Sequence, residues 1–313
     1  VVGGRGDPTE RGVVATASYA ARAFGVGSGM PLRTAARRCP DAVFLPVDKP
    51  AYDEASAAVM DTLRSLGVVV EVLGWDEAFL AVQTDDPLAF ARRVQQQVLD
   101  GTGLHSSVGV GDNKLRAKLA TGFGKPRGVF ALTEANWYAV MADESPAALW
   151  GIGRKTAKRL ADLGMTTVRQ LADADPADLA ARLGPTMGPW YHRLARGVDT
   201  SPVDGSPYVP RGRSRETTFQ QNLTDPGEIE AEVRRLAGQV ADDLHRDGRP
   251  AVRLTLKARF APFFTQTRSR TLPAPTSDAD EITAAALDLA DGFLAGRAVR
   301  LLGVRAEMTE PAD

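Results

Sequence analysis

The sequence predicts a multidomain α+β protein. Three patterns carry that expectation: a C-terminal third whose hydrophobic periodicity runs β-α-β-β-α-β, a run of short helical patterns before it, and a mixed helix and strand region ahead of both. At 313 residues and 43% hydrophobic content the chain can bury one or more full cores, and its length fits two or three domains.

Residues 1–47 read as a small unit of strand and helix punctuated by Gly, too short for a full core of its own. The chain opens Val1-Val2-Gly3-Gly4 without an initiator Met, the reading expected of a fragment or a processed product. Residues 48–132 give a helix at 52–66, strands at 68–73 and 79–83, a helix at 87–99 and a strand at 105–110. Residues 134–200 read as short helices, and 201–213, rich in Ser, Pro, Gly and Arg, as a linker. Beyond it, residues 214–219 are β-like. Asp225-Pro226 then opens a helix carrying Ile229, Val233, Leu236, Val240 and Leu244 on one face. From Val252 to Phe260 apolar residues alternate with Arg253, Thr255, Lys257 and Arg259, the period-2 mark of a strand with one cationic face. Ala261-Pro262 turns into a strand at 263–272, Ser277 to Asp280 cap a helix carrying Ile282, Leu287, Leu289, Phe293 and Leu294, and a strand at 299–308 ends the order. This is a split βαβ sheet with helices on one side and the other side free.

No run of about 18 apolar residues is present, and nothing at the start has the pattern of a signal peptide, so a cytoplasmic address is expected. Cys39 is the single cysteine, and His105, His192 and His245 are dispersed, which argues against a disulfide or a transition-metal cage. The net charge of -1 hides a local asymmetry. Arg249, Arg253, Lys257, Arg259, Arg268 and Arg270 fall in one stretch with no acidic residue, as a nucleic-acid partner requires.

Four segments are candidates for chemistry. Asp76-Glu77 sits between two strand-like runs, where four carboxylate oxygens suit Mg²⁺, the alternative being a solvated turn. Tyr19 and Arg22 are three apart and share a helical face that suits a polyphosphate, or else a packed Tyr beside a surface Arg. Lys125, in Gly124-Lys125-Pro126-Arg127, is a further phosphate candidate. Gly151-Ile152-Gly153 precedes a helix with Thr156 and Leu160. It either exposes N–H groups that grip a DNA phosphate or forms a structural helix-turn-helix corner.

In this order the segments resemble the DinB class of Y-family DNA polymerases, the bacterial polymerase IV group, over essentially the whole chain. The resemblance rests on Arg11-Gly12-Val13-Val14-Ala15-Thr16-Ala17-Ser18-Tyr19, Trp75-Asp76-Glu77-Ala78-Phe79, Ser107 to Lys114, Ala117-Lys118, Lys125-Pro126, Gly151-Ile152-Gly153, Ser214 to Phe219 and Val299 to Val304. It implies a right-hand polymerase with fingers (1–47, lacking the first palm strand), palm (48–132), helix-hairpin-helix thumb (133–203), linker (204–213) and little finger (214–313). It also implies two Mg²⁺ ions, with Mn²⁺ able to substitute, on Asp76 and Glu77 as catalytic ligands. Thr16, Tyr19, Arg22 and Lys125 would hold the dNTP, and Gly151, Gly153, Arg253, Lys257, Arg259 and Arg300 the DNA. The implied activity is translesion DNA synthesis on primer-template DNA by a monomer in the bacterial cytoplasm. The sliding clamp is a further candidate partner, for which no clear clamp peptide is seen.

Two departures from the family pattern stand out. The segment expected to carry the first metal-ligand Asp and the ribonucleotide gate precedes the part represented by Val1. Gly74-Trp75 stands where most members have a small polar and an aliphatic residue. The competing expectations are therefore a catalytically deficient DNA-binding fragment and a helix-hairpin-helix nuclease or scaffold.

Overall fold

A computed structural model describes residues 1–311 of the chain, which forms two compact units, Val1–Val47 with the residues from Tyr208 onward, and Asp48–Pro207. In the first segment β1 (Val2–Gly3) and β2 (Val14–Thr16) pair antiparallel, followed by α1 (Tyr19–Ala23) and α2 (Leu32–Arg38). Val14, Ala17, Ala21, Val26, Leu32 and Ala35 close a small core. A side chain at Gly3 would press within 2.4 Å of the Val13 carbonyl oxygen, which explains glycine in so short a strand.

The second unit opens with α3 (Lys49–Arg64), whose first turn is capped by Asp48, and the hairpin β3 (Val69–Gly74) to β4 (Glu77–Ala81). Next come α4 (Pro87–Thr102), capped by Asp86 and ended by Gly103 in the left-handed region, then β5 (Val108–Val110), α5 (Lys114–Gly124) and β6 (Val129–Ala131). Met60 and Leu63 of α3 pack with Val94 and Val98 of α4. Strands β5 and β6 are parallel with α5 between them in sequence. A Cβ at Gly109 would lie 2.0 Å from the Ala117 carbonyl oxygen, so glycine is what lets α5 lie against its strand. The apolar pattern of 114–124 is too weak to predict α5 from the sequence. Its Leu115 and Ala120 join the core of the helices that follow.

Those helices are α6 (Trp137–Met141), α7 (Arg154–Asp162), α8 (Val168–Asp173), α9 (Pro176–Leu183) and α10 (Met187–Ala195). Trp137, Leu149, Ile152, Leu160, Leu171, Leu179 and Leu194 fill their core. Asn113 Nδ2, at the cap of α5, donates to the Gly197 carbonyl (2.8 Å) and ties the end of α10 to the start of α5, while Trp137 Nε1 donates to the Ala195 carbonyl (2.9 Å) and ties α6 to α10.

The linker is not free along its length. Lys114 Nζ donates to both oxygens of Glu71 (2.8 Å each) and to the Pro202 carbonyl (3.0 Å), while the Asp204 N–H donates to Glu71 Oε2 (2.8 Å). Residues 202–204 are thereby clasped to β3.

The C-terminal part of the first unit holds β7 (Gly212–Leu223), α11 (Pro226–Asp247), β8 (Ala251–Phe260), β9 (Phe264–Thr276), α12 (Ala279–Ala290) and β10 (Val299–Met308). The antiparallel sheet runs β7-β10-β8-β9. All five apolar residues predicted on α11 are buried, as are Leu254, Leu256, Ala258 and Phe260 of β8. Burying such a side chain is worth roughly 1.5–3 kcal/mol, so this face is what orients the sheet. Arg215 makes a two-pronged pair with Asp243 (2.6 Å, 2.6 Å) and Arg213 another with Asp247 (2.5 Å, 2.8 Å), fixing α11 on β7. Phe293 and Leu294 were expected on the last helix. They are buried but follow it, because the helix ends at Ala290 and Gly292 takes a φ of 60°.

Candidate active site and nucleic-acid interface

Pairing of Gly74 with Glu77 closes the β3–β4 hairpin and leaves Trp75 and Asp76 in the turn. Asp76 is exposed and has no hydrogen bond or ion pair among the described residues, so both its oxygens are open to a ligand. Glu77, also exposed, meets Lys118 Nζ of α5 at 2.5 Å. Trp75 meets Tyr52 of α3 edge-on at 6.2 Å with Lys49 Nζ 5.2 Å from its ring centre, which anchors the turn on α3. Asp76, with both oxygens open, and the adjacent Glu77, with Oε1 on Lys118 and Oε2 open, fit Mg²⁺, which accepts one or two protein carboxylates and completes its octahedron with phosphate oxygens and water. No third His, Cys, Asp or Glu joins them among the described residues. Lys125 follows α5 in the same unit and is exposed.

In the other unit Thr16 ends β2, and Tyr19 and Arg22 lie on α1, whose N-terminus Ser18 caps. The Arg22 guanidinium stands 5.4 Å from the centre of the Tyr19 ring and its Nε donates to the Ala17 carbonyl (2.9 Å). Tyr19 is 56% exposed, so ring and guanidinium share a solvent face rather than a core.

Gly153 caps α7 and no side chain accepts from the first turn, which leaves those N–H groups facing solvent. Gly151 has a φ of 100°, and a Cβ there would lie 2.6 Å from Trp190 Cη2. Glycine is required at 151 for both reasons, while buried Ile152 and Leu160 hold the hairpin down.

The helix-free face of the C-terminal sheet carries Arg253, Lys257 and Arg259, and the structure qualifies the expectation of a uniformly cationic strip. Acids on neighbouring strands answer two of the three: Glu307 of β10 lies 3.7 Å from Arg253 and Glu216 of β7 lies 2.7 Å from Lys257. Arg259 has no acidic partner among the described residues. Its Nε donates to Thr265 Oγ1 (2.8 Å). Arg300 likewise has none, its guanidinium lying 4.5 Å from the centre of the Phe263 ring.

The comparisons agree with this architecture. Residues 1–122 match the impB/mucB/samB family, 210–313 its C-terminal domain, and 147–199 a DNA polymerase-iota thumb domain. The chain is 50% identical over 312 residues to DNA polymerase IV 2 of Mycobacterium tuberculosis (strain ATCC 25618 / H37Rv), covering 98% of this chain and 90% of that one. It is 40% identical over 304 residues to DNA polymerase IV of Methanoculleus marisnigri, covering 96% and 84%. A Y-family DNA polymerase chimera, Dbh-Dpo4(243-245)-Dbh, superposes with a TM-score of 0.87 at 25% identity, covering 98% and 90%. An insertion ternary complex of Dbh DNA polymerase gives 0.64 at 25% identity, covering 98% and 91%. The fold is that of a DNA-directed DNA polymerase of the right-hand type. Within that class the chain belongs to the Y family, in its DNA polymerase IV (DinB) branch.

Proposed function

We propose that this chain synthesises DNA on a template and past damaged bases, adding dNTP units to a primer 3'-OH. Fingers are assigned to 1–47, palm to 48–132, thumb to 133–203, linker to 204–213 and little finger to 214–313. The observation that carries the reading is the exposed Asp76-Glu77 hairpin end with its open carboxylate oxygens, beside a helix supplying Lys118. Asp76 and Glu77 would hold Mg²⁺. When bound, two such ions favour the hydroxyl nucleophile and offset charge on the leaving pyrophosphate. Thr16, Tyr19, Arg22 and Lys125 are assigned to the triphosphate, which they bind by hydroxyl donors and cationic nitrogens. The 3' oxygen bonds to the α-phosphorus as the α–β bridging P–O bond breaks, and the hydroxyl proton passes to solvent. Gly151 and Gly153 offer backbone N–H groups to a DNA phosphate, and Arg253, Lys257, Arg259 and Arg300 bind the backbone without reading bases.

A second reading, a DNA-binding chain deficient in catalysis, is favoured by one observation. Asp76 and Glu77 have no third metal-type ligand among the described residues. Primer extension with Mg²⁺ and with Mn²⁺ decides. The first reading expects extension by this chain, reduced by more than about 100-fold in Asp76→Ala, the order seen for groups that stabilise developing charge. Retained duplex binding with no extension in either metal supports the second.

A further inference from the structure

Arg11, which the sequence offered only as part of a family motif, joins the segment 1–47 to β7 more than 200 residues away. Its backbone N–H donates to Gln220 Oε1 (2.7 Å) and its carbonyl accepts from Gln220 Nε2 (3.0 Å). Its Nη1 donates to Asn222 Oδ1 (2.7 Å) and to the Phe219 carbonyl (3.0 Å). The acceptors are available because the sheet register breaks there. Between Val299, opposite Leu223, and Leu301, opposite Thr218, β10 spends one residue, Arg300, while β7 spends 219–222. The same break places Arg300 as an extra residue against β8, where Val299 faces Phe260 and Leu301 faces Arg259.

The charges of this region are unanswered. Among the described residues every acceptor of Arg11 is a neutral oxygen, Arg259 donates to a threonine hydroxyl, and the Arg300 guanidinium donates to no side chain or carbonyl. Arg259 and Arg300 both flank the ring of Phe263, 6.0 and 4.5 Å from its centre, and that ring is 66% exposed. Burial, and then the neighbouring charges of Arg11 and Arg259, push the Arg300 guanidinium below its ordinary value. Three cations held close with only neutral partners form a standing demand for an anion, and an exposed ring among them suits a nucleic-acid strand.

We propose that Arg11, Arg259 and Arg300 form one phosphate-binding node for a DNA strand, in which Arg11 of the fingers segment and the little finger bind the same phosphodiester region. The inference rests on the DNA-polymerase reading. Arg11 both latches the two segments through Gln220 and Asn222 and contributes charge, and the two roles separate by experiment.

The test is DNA binding to the full chain by fluorescence anisotropy across a KCl series, with primer-template DNA as the probe. Arg11→Ala lowers affinity and makes the slope of log K against log [salt] shallower by about 0.9 for a duplex contact or about 0.7 for a single-stranded one. Arg11→Lys restores the slope. Gln220→Ala, which removes latch bonds and no charge, leaves the slope unchanged. If Arg11→Ala keeps the wild-type slope, or if Gln220→Ala flattens it equally, Arg11 is a latch alone and the node is overturned. If the wild-type chain does not bind DNA, the functional reading fails and takes the node with it, an outcome distinct from the failure of Arg11→Ala alone. Circular dichroism melting of each variant separates loss of contact from loss of fold.

Discussion

Lys118 Nζ lies 2.5 Å from Glu77 Oε1, so one of the two carboxylates assigned to the metal is neutralised by a lysine on the adjacent helix. A divalent ion taking Glu77 must share or displace that charge. Glu77 is about half exposed, which screens the pair, and ion pairs of this kind are worth about 1 kcal/mol or less. Lys118→Ala therefore tightens Mn²⁺ binding, read by electron paramagnetic resonance titration, by up to about fivefold. Weaker binding in the variant contradicts a competing role for the lysine.

The Glu71–Lys114 clasp predicts a pH-dependent stability. Both side chains are mostly buried, at 20% and 13% exposure. Burial alone would raise the Glu71 carboxyl. The hydrogen bonds from Lys114 and the Asp204 N–H, with the Lys114 charge, outweigh it and hold the group below its ordinary 4.5. A carboxyl depressed in the folded state contributes fully above that value and loses its contribution as pH falls through the lower folded one. Lys114→Met costs about 1–3 kcal/mol in urea unfolding at pH 7, and the gap to wild type narrows below pH 4.5. A gap independent of pH rules out the ion pair as its source.

Asp243 gives the corresponding prediction for the C-terminal sheet. Its side chain is 7% exposed and accepts from Arg215 and Arg246. The Arg215 hydrogen bonds lead in holding its carboxyl below the ordinary 3.8, against the opposing effect of burial. Asp243→Asn keeps one acceptor oxygen but loses the charge facing two guanidiniums, at a cost of about 1–3 kcal/mol. The expected signature is a lower thermal midpoint at pH 7 and convergence with wild type in acid, where wild-type Asp243 is itself protonated.

Lys257 and Glu216 give a prediction about binding. A phosphate that engages Lys257 must compete with a 2.7 Å ion pair. Glu216→Gln removes the competitor and raises DNA affinity by up to about fivefold at low salt, the upper range for an exposed pair. Arg259→Ala loses more affinity than Lys257→Ala, because Arg259 has no acid to return to among the described residues. The reverse order in anisotropy titrations dismisses this account.

The C-terminal sheet was legible in advance because its signals are local. Leu254, Leu256, Ala258 and Phe260 alternate within one strand, and Asp225 stands just before the helix it caps. The hairpin at Gly151–Gly153 was legible for the same reason. What escaped were relationships across the sheet or across the chain. Glu216 and Glu307 answer cations 41 and 54 residues away in sequence, so a count of charge along the strand reads as uncompensated what the register pairs. Helix α5 was missed because its apolar stripe is interrupted by Lys118, Thr121 and Gly122, and its burial comes from the core of the helices that follow it. Arg11 offered no local sign of its partners, which exist only because of a break in register more than 200 residues on.

The clasp on residues 202–204 also sets the length of a leash. With Asp204 held to β3, and with Pro210 and Arg211 accepting hydrogen bonds from Arg249 and Met308, only Gly205 to Val209 remains as unanchored chain, with Tyr208 82% exposed within it. Five residues reach at most about 18 Å when fully extended. So short a run between two anchored ends leaves the chain little conformational freedom there. Opening the Glu71–Lys114 pair would release the Asp204 N–H and lengthen that unanchored run without altering any residue assigned to DNA contact.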